Sequence, residues 1–216
     1  AHLGDGTRAL DLYREVLTIL PEHSGALDAL ERLLSDRELG SQAAAILEPI
    51  YESGAQWSKL IDALEQSLAS VSDLDQRIDV ITKVGEIQAE RVGDSAKAFD
   101  VYGRALREAP GNLGIAARLE ELAGQAQRVP ALVDLLTDLA GAATDAALAC
   151  RLWTKAGQLR DGQLGDAAGA VSAYMRALEQ APGDTEILGA LETLYRRTGQ
   201  WSELLGVLRR KVQGLK

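Results

Sequence analysis

The chain has 216 residues, of which 46% are apolar, and its formal net charge is −9. This acidic balance argues against a nucleic-acid partner, because such binding depends on Lys and Arg side chains that neutralise phosphates. It argues equally against a polybasic contact with a membrane, and no apolar run in the sequence approaches the roughly 20 residues that a membrane span needs. We therefore expect no nucleic-acid binding and no direct membrane insertion.

The few cysteine and histidine residues limit the chemistry of the chain. Cys150 is the single cysteine, and His2 and His23 are the two histidines. A disulfide framework is excluded, and a zinc or haem site cannot be assembled by the usual ligand rules. Cys150 would need a nearby histidine or a helix N-terminus to act as a nucleophile, and neither histidine lies in its repeat. We predict a protein that is not an enzyme, with no catalytic residues, no metal and no cofactor.

The start of the chain resembles the end of an internal helix. His2-Leu3-Gly4-Asp5 corresponds to Arg91-Val92-Gly93-Asp94. We expect the true N-terminus to lie upstream, so that the sequence is a piece of a longer protein. Localisation stays unknown.

Apolar residues with helical spacing alternate with turn signals along the whole chain. This pattern predicts an all-α fold of about twelve antiparallel helices with connections of two to six residues. No alternating Val/Ile-rich segment indicates a strand. In chain order, the helices are predicted at about 7–20, 24–35, 41–53, 56–69, 73–91, 93–110, from Asn112, from Val129, 145–161, 167–181, from Asp184 and 200–212.

One stretch of the sequence recurs. Gly93–Pro110 returns as Gly165–Pro182 and, with more differences, as Gly4–Pro21. Each copy opens with a Gly-Asp pair that predicts an N-cap, and each ends with a proline that cannot continue a helix. Between them a small residue, a tyrosine and a leucine stand four apart, so they share one helical face. Such self-similarity is typical of a solenoid.

The spacing of the copies is unequal. Tyr13 and Tyr102 are 89 residues apart, whereas Tyr102 and Tyr174 are 72 apart. We interpret the helix at 41–53 as an additional helix without a counterpart in the later copies. Pro49 lies inside this helix and predicts a kink or an irregular turn.

A period of 72 residues with four helices corresponds to two units of 36, which resembles the tetratricopeptide repeat (TPR), a helical hairpin of about 34 residues. The resemblance rests on a bulky residue followed by an apolar-glycine pair in first helices, and on a small, aromatic, small and proline pattern in second helices. Glu120 and Glu192 stand where the family has glycine. The matching residues are Ile81, Val84 and Gly85; Trp153, Ala156 and Gly157; Ala98, Tyr102, Ala105 and Pro110; Ala170, Tyr174, Ala177 and Pro182; and, less well, Ala9, Tyr13, Val16 and Pro21.

The resemblance implies a right-handed α-solenoid, a superhelix of TPR-like hairpins. We expect a single array over 1–216. Its predicted units are about 1–21 (half a hairpin), 22–71 (with the additional helix), 72–110, 111–143, 144–182 and 183–216.

The aromatic side chains recur at corresponding positions. Stacking platforms for bases or sugars are one interpretation, but residues repeated in every copy are usually needed for packing. We predict core positions for Tyr13, Tyr102, Tyr174, Trp57, Trp153 and Trp201. His23 corresponds to Asn112 and Asp184, and we predict that it is a loop or cap residue.

In the family that the chain resembles, the first helix of each hairpin lines a concave groove for peptides or partner helices. The alternative is that the same residues are ordinary solvated helix surface. A lysine- and asparagine-based clamp for a C-terminal carboxylate is absent, which disfavours a chaperone-tail adaptor. The predicted groove residues are Asp28, Arg32, Asp79, Thr82, Glu86, Glu90, Glu121, Arg151, Thr154, Gln158, Glu186, Thr193, Arg196 and Arg197.

The function that these patterns favour is a protein-protein interaction scaffold or adaptor that presents a helical groove to a protein or peptide. Two alternatives stay open: a regulatory domain that senses a ligand or peptide, and a passive structural spacer. Exposed terminal helix faces can also self-associate.

Overall fold

The computed structural model describes residues 3–214, and this part of the chain is all-α, as predicted. The predicted resemblance between the start of the chain and the end of an internal helix depends on His2, which lies outside the described residues. Within 3–214, every helix is too short or too polar to cross a bilayer. The helices are α1 Leu3–Ile19, α2 Ser24–Leu33, α3 Gly40–Ser53, α4 Trp57–Ser67, α5 Leu74–Glu86, a π-helical segment Ile87–Val92, α6 Ser95–Glu108, α7 Leu113–Gln125, α8 Val129–Ala142, α9 Ala146–Gly162, α10 Ala167–Gln180, α11 Thr185–Thr198 and α12 Trp201–Gly214.

Side chains before the helices satisfy backbone N–H groups of the first turns, as the sequence predicted. Asn112 Oδ1 accepts a hydrogen bond from the N–H of Gly114 at 3.0 Å. His23 is also an N-cap, because its Nδ1 accepts from the N–H of Ala26 at 3.1 Å. Such caps replace hydrogen bonds that the first turn of a helix cannot make internally. The same role is filled by Asp94, Asp166 and Asp184.

Three local predictions differ from the structure. α1 already begins at Leu3, so Gly4-Asp5 lies within it and does not open it. α3 continues through Pro49 without the predicted irregular turn. Pro49 and Ala45, whose carbonyl loses its helical partner, are both exposed, so water can satisfy that carbonyl. The helix predicted at 73–91 changes into the π-helical segment, which ends at Gly93 with φ +77°.

The chain divides into two compact units, residues 1–109 and 110–216. The core of the first unit contains Leu30, Leu47 and Leu60, each fully buried. The core of the second contains Leu191 and its neighbours on α10 and α12. Within each unit, helices pack mainly on those that precede or follow them in sequence, which is how solenoid repeats bury their apolar faces.

Burial recurs with a constant spacing of 72 residues. Leu47 on α3, Leu119 on α7 and Leu191 on α11 are all fully buried. α3 therefore has counterparts in α7 and α11, which contradicts its interpretation as an additional helix. The spacing of 89 residues between Tyr13 and Tyr102 was found by matching residue types. The buried positions instead recur every 72 residues, which is every fourth helix. On α2, α6 and α10 the recurring buried sets are Ala26, Leu30 and Leu34; Ala98, Tyr102 and Leu106; and Ala170, Tyr174 and Leu178.

The glycines of the family pattern allow a tyrosine ring to lie against a helix backbone. A Cβ atom at Gly85 would stand 2.5 Å from Cε2 of Tyr102. A Cβ at Gly157 would stand 2.9 Å from Cε1 of Tyr174. Both tyrosines are buried, so their predicted core positions are confirmed.

The other predicted core aromatics are less buried. Tyr13, Trp57 and Trp153 are half-buried, and the core prediction for Trp201 is wrong because its side chain is 66% exposed. At the corresponding position in the first unit, the Arg91 guanidinium lies 5.4 Å from the centre of the Trp57 ring. Trp201 has no such cover among the described residues, since α12 is their last helix.

Candidate protein-binding site

A cleft of about 390 Å³ lies in the second unit between three helices that alternate in sequence. We call it the α7–α9–α11 cleft. Residues on its lining come from the start of α7, from the length of α9 and from the start of α11. The lining includes Pro110, Asn112, Leu113, Ala116, Ala117, Glu120, Leu148, Cys150, Arg151, Leu152, Thr154, Lys155, Gln158, Asp184, Glu186 and Ile187.

The N-caps of α7 and α11 fix two edges of the cleft. Asp184 Oδ1 accepts from the N–H groups of Glu186 and Ile187 at 2.9 and 3.0 Å. Asn112 does the same for α7. These N–H groups are therefore already satisfied inside the protein, which leaves the two helix N-termini poorly suited to binding phosphate.

Apolar side chains form part of the cleft surface. Leu113 is 71% exposed although it lies beside the cleft, and Leu148 is half-buried. Leu152 and Ile187 are buried below them. A partly exposed apolar surface of this kind can receive an apolar side chain of another molecule.

Polar side chains of α9 line the same cleft. Arg151, Thr154 and Gln158 follow one another at helical spacing, so they share one face of α9. Lys155 Nζ lies 2.6 Å from a carboxylate oxygen of Glu120 and links α9 to α7. Arg151 is exposed and forms no ion pair within residues 3–214. Its guanidinium is thus available to a carboxylate.

The α7–α9–α11 cleft gathers four of the predicted groove residues: Arg151, Thr154, Gln158 and Glu186. The other predicted residues of the second unit do not line it. Glu121 pairs with Arg118 at 2.6 Å along α7. On α11, the Thr193 hydroxyl donates to the Gly189 carbonyl, Arg196 pairs with Glu192, and Arg197 pairs with Asp161.

In the first unit the predicted residues lie at separate places. Asp28 and Arg32 line a cavity of about 490 Å³ beside α4. Glu86 and Glu90 line another of about 320 Å³ beside Trp57. On α5, the Thr82 hydroxyl donates to the Ile78 carbonyl at 2.8 Å, and Asp79 is exposed one turn earlier.

A buried tyrosine that lines the same cavity as Asp28 and Arg32 was not singled out from the sequence. Tyr51 Oη donates a hydrogen bond of 2.5 Å to Glu31 Oε1. Burial and this hydrogen bond raise the pKa of Tyr51, and the same bond lowers the pKa of Glu31. Tyr51 therefore stays protonated and Glu31 stays ionised near neutral pH, which makes the contact structural.

Sequence reasoning also missed an ion pair that recurs between alternate helices. Lys83 on α5 pairs with Glu48 on α3, as Lys155 on α9 pairs with Glu120 on α7. Burial lowers the pKa of Lys83, but Glu48 and Glu52 together raise it above its ordinary value. The shared 35-residue separation of each pair was the sequence signal that could have revealed it.

The thiol of Cys150 is half-buried in the cleft. Burial and the charge of Asp184 raise its pKa, while a hydrogen bond with Thr154 opposes them. A raised pKa keeps the thiol protonated at neutral pH and lowers its nucleophilicity. In the described ranges, no three His, Cys, Asp or Glu side chains come together as a metal site.

Comparison with known proteins supports the repeat assignment. Residues 187–216 match the family model described as Tetratricopeptide repeat. Over these residues the chain is TPR-like. The matched segment covers α11 and α12, so the resemblance drawn from the sequence is confirmed there. No curated protein sequence matches the chain.

Several solved structures are similar to this chain. "Crystal structure of MamA protein" has 14% identity and a TM-score of 0.45, covering 80% of this chain and 90% of that chain. "Crystal structure of MamA" has 15% identity and a TM-score of 0.45, with coverages of 76% and 91%. "MamA RS-1 ArsTM double mutant" has 14% identity and a TM-score of 0.43, with coverages of 84% and 96%. These likenesses carry no information about what the present chain binds.

Proposed function

We propose that the chain is a non-enzymatic scaffold or adaptor that binds an extended segment of a partner protein in the α7–α9–α11 cleft. TPR-like folds generally mediate protein-protein interaction. The observation that carries the proposal is the meeting of an apolar surface with the unpaired Arg151 in one cleft. We also propose that the TPR-like register extends through the chain in steps of 72 residues.

The chemistry of the lining indicates what the bound segment contains. Leu113 and Leu148 offer contacts to an apolar side chain, and Arg151 offers a charge-assisted hydrogen bond to a carboxylate. The expected ligand is an extended peptide with a large apolar residue close to an aspartate or glutamate. Nucleotides are disfavoured, because the helix N-termini at the cleft are capped by Asn112 and Asp184.

A peptide selection tests the proposal. Peptides of random sequence displayed on phage are selected on the 216-residue chain, and the affinities of the selected peptides are measured by calorimetry. Ala117→Trp fills the cleft from an exposed position on α7. Ala131→Trp is the matched control, since Ala131 is also exposed but does not line the cleft. We expect Ala117→Trp to abolish binding and Ala131→Trp to retain it.

The single cysteine gives an independent measurement at the same place. Because Cys150 lines the cleft, a bound peptide should slow its modification by a maleimide. Selected peptides that bind both tryptophan variants equally, and that leave the rate of Cys150 modification unchanged, would show that the cleft is not the binding site.

A ligand-sensing regulatory domain is the second candidate, and the cleft volume favours it, because about 390 Å³ lies within the range of small-molecule sites. A metabolite that raises the melting temperature in a saturable way, and does so less in Ala117→Trp, would favour this function over the first.

A further inference from the structure

A polar cavity of about 490 Å³ lies in the first unit, with its lining supplied by α2, α3 and α4. We call it the α2–α4 cavity. In steps of 72 residues, α2 and α4 correspond to α6 and α8, so this cavity is not a copy of the α7–α9–α11 cleft. Its volume lies within the range of small-molecule sites.

Three side chains at the base of the cavity hold one another in place. Tyr51 is buried, and its Oη donates a hydrogen bond of 2.5 Å to Glu31 Oε1. Lys59 Nζ lies 3.4 Å from the same oxygen and 5.5 Å from the centre of the Tyr51 ring. The charges of Glu31 and Lys59 therefore neutralise each other at a fixed position.

Three charged side chains at the rim have no such partner. Asp28 and Arg32 on α2, and Asp62 on α4, line the cavity and are exposed. Within residues 3–214, none of the three forms an ion pair or a side-chain hydrogen bond. Glu192 and Arg196 have the same spacing as Asp28 and Arg32, and they do pair, at 2.7 Å. One guanidinium and two carboxylates are thus available to an occupant of the cavity.

The corresponding positions of the later repeats do not hold the charges at the base. The residues 72 positions after Glu31 and Lys59 are Gly103 and Ala131, which carry no charge. The residue 144 positions after Lys59 is Glu203, which reverses its sign. The packing of the helices recurs, whereas this set of charges occurs once. Residues that the repeat does not need for packing are free to suit a ligand.

The arginine at the rim recurs, but its surroundings do not. The residues 72 and 144 positions after Arg32 are Arg104 and Arg176. Arg104 pairs with Glu65 at 2.6 Å, and Arg176 pairs with Glu179 at 3.2 Å. Arg32 is therefore the one of these three arginines whose guanidinium is free to bind a carboxylate from outside the chain.

The positions of the free charges indicate the chemistry of the occupant. Asp28 and Arg32 stand one helical turn apart on one face of α2. An α-amino acid carries its ammonium and its carboxylate on the same carbon atom, so it can contact both side chains at once. Asp62 lies on the other helix and is left for a second cation further along the ligand. A basic α-amino acid has these three groups.

We propose that the α2–α4 cavity binds a free basic α-amino acid such as lysine. Arg32 binds its α-carboxylate, Asp28 its α-ammonium and Asp62 its side-chain cation. Charge supports this ligand. The lining has three carboxylates, with Glu31 as the third, and two cations, with Lys59 as the second, so its net charge is −1. Lysine carries a net charge of about +1 at neutral pH. The inference does not depend on the peptide-binding proposal, since none of these residues lines the α7–α9–α11 cleft.

Calorimetry with L-lysine and the 216-residue chain tests the proposal. We expect saturable binding of one lysine. Cadaverine lacks the carboxylate, norleucine lacks the side-chain ammonium, and Nα-acetyllysine lacks the charged α-amino group. Each should bind roughly tenfold more weakly or worse, because each loses a charge-assisted hydrogen bond. A native chain that binds no lysine at about 1 mM, where even weak sites begin to fill, would overturn the proposal.

Nα-acetyllysine also separates a free amino acid from the end of a peptide. It resembles a lysine at a peptide C-terminus, which has a free carboxylate but no free α-ammonium. If it binds as tightly as lysine, the occupant is a peptide end, and the proposal is wrong.

Substitutions assign each group of the ligand to a residue. Arg32→Gln should weaken lysine and remove most of its advantage over cadaverine. Asp62→Asn should do the same for the advantage over norleucine, and Asp28→Asn for that over Nα-acetyllysine. Asp134→Asn is the matched control, because Asp134 stands 72 residues after Asp62, is also exposed and does not line the cavity. If the three cavity variants keep the native affinity and preferences, the cavity is not the site.

The variant that fills the cleft separates this site from the first. Ala117→Trp should leave the affinity for lysine unchanged. Loss of lysine binding in Ala117→Trp would place lysine in the α7–α9–α11 cleft and refute the present inference. A cleft that selects no peptide, in a chain whose lysine binding is lost in Asp62→Asn, would refute the peptide-binding function alone and support the α2–α4 cavity.

Discussion

The two units repeat their packing but not their surfaces. Gly85 meets Tyr102 in the first unit as Gly157 meets Tyr174 in the second. The two glycine-bearing helices, α5 and α9, differ on their exposed sides. α5 has Asp79 and Glu86 at the positions where α9 has Arg151 and Gln158. Every repeat needs the same contact to bury its core, whereas each surface is free to suit a different ligand. A repeated core with divergent surfaces therefore directs the search for function to the divergent positions.

The units also differ in one contact near their cores. In the first unit, Arg77 forms two hydrogen bonds of 3.0 Å with the carboxylate of Glu108. The corresponding residues of the second unit are Ala149 and Gln180, which cannot form this ion pair. Ala149 is buried instead. The first unit thus uses a salt bridge where the second uses an apolar contact.

The largest effects should come from removing the shared tyrosines. Tyr102→Ala and Tyr174→Ala should each lower the free energy of unfolding by about 3–5 kcal/mol, because each deletes a buried aromatic ring. Urea unfolding followed by circular dichroism measures the loss. A loss below about 1 kcal/mol in one unit only would show that the two rings are not packed alike.

The glycine partners should show a smaller and unequal effect. Gly85→Ala and Gly157→Ala should each destabilise the fold by about 1–3 kcal/mol, as overpacking does. The loss should be greater for Gly85, because its added Cβ would stand 2.5 Å from the ring rather than 2.9 Å. Combining Gly85→Ala with Tyr102→Leu should recover part of the lost stability. A leucine is accommodated at the position of α2 that corresponds to Tyr102, where Leu30 is buried. No recovery in this double variant would locate the strain elsewhere.

The Arg77–Glu108 contact should make the first unit sensitive to pH. The hydrogen bonds from Arg77 hold the pKa of Glu108 below its ordinary value of 4.5. A lowered carboxyl pKa stabilises the fold above the ordinary value, and this contribution is lost as the pH falls through the folded-state pKa. Glu108→Gln should therefore cost about 1 kcal/mol or less at neutral pH and nothing in strong acid.

The second unit offers a matched control for that prediction. Gln180→Glu places a carboxylate at the corresponding position, opposite Ala149 instead of an arginine. It should bring no gain in the free energy of unfolding at neutral pH. An equal pH response of Glu108→Gln and the native chain would mean that the salt bridge does not contribute.

The smallest effect on stability should follow from exchanging the divergent surface residues. Arg151→Asp copies Asp79 of the first unit and should change the free energy of unfolding by no more than about 0.5 kcal/mol, because the side chain is exposed. It should nevertheless weaken peptides selected on the α7–α9–α11 cleft. Asp79→Arg is the control and should leave their affinity unchanged. Equal binding by the native chain and Arg151→Asp would remove Arg151 from the site.

The sequence predicted the helices well because their signals are local. Caps such as Asn112 and His23 act within three residues, and apolar spacing acts within one helix. The register between distant copies was harder, because the match of Gly4–Pro21 to Gly93–Pro110 compared residue types without knowing which side chains are buried. The exposure of Trp201 could not be predicted either, since it depends on which helix comes next rather than on α12 itself.

The same difference between local and long-range signals separates the predicted site residues that lie together from those that do not. Arg151, Thr154 and Gln158 share a face of α9, which helical spacing alone reveals, and the structure brings Glu186 of α11 to them. Asp28 and Arg32 were placed with the groove through the longer spacing of copies, and they line a separate cavity. Contact between these residues and a partner remains a prediction.

The packing of each helix on its sequence neighbours has a consequence for the way the chain acquires its structure. Contacts between adjacent helices close short loops, so little chain entropy is lost before each contact forms. A chain with such local contacts should fold rapidly, in the microsecond to millisecond range of helical proteins. Each hairpin can also pack as soon as it leaves the ribosome, without waiting for residues that are still to be synthesised.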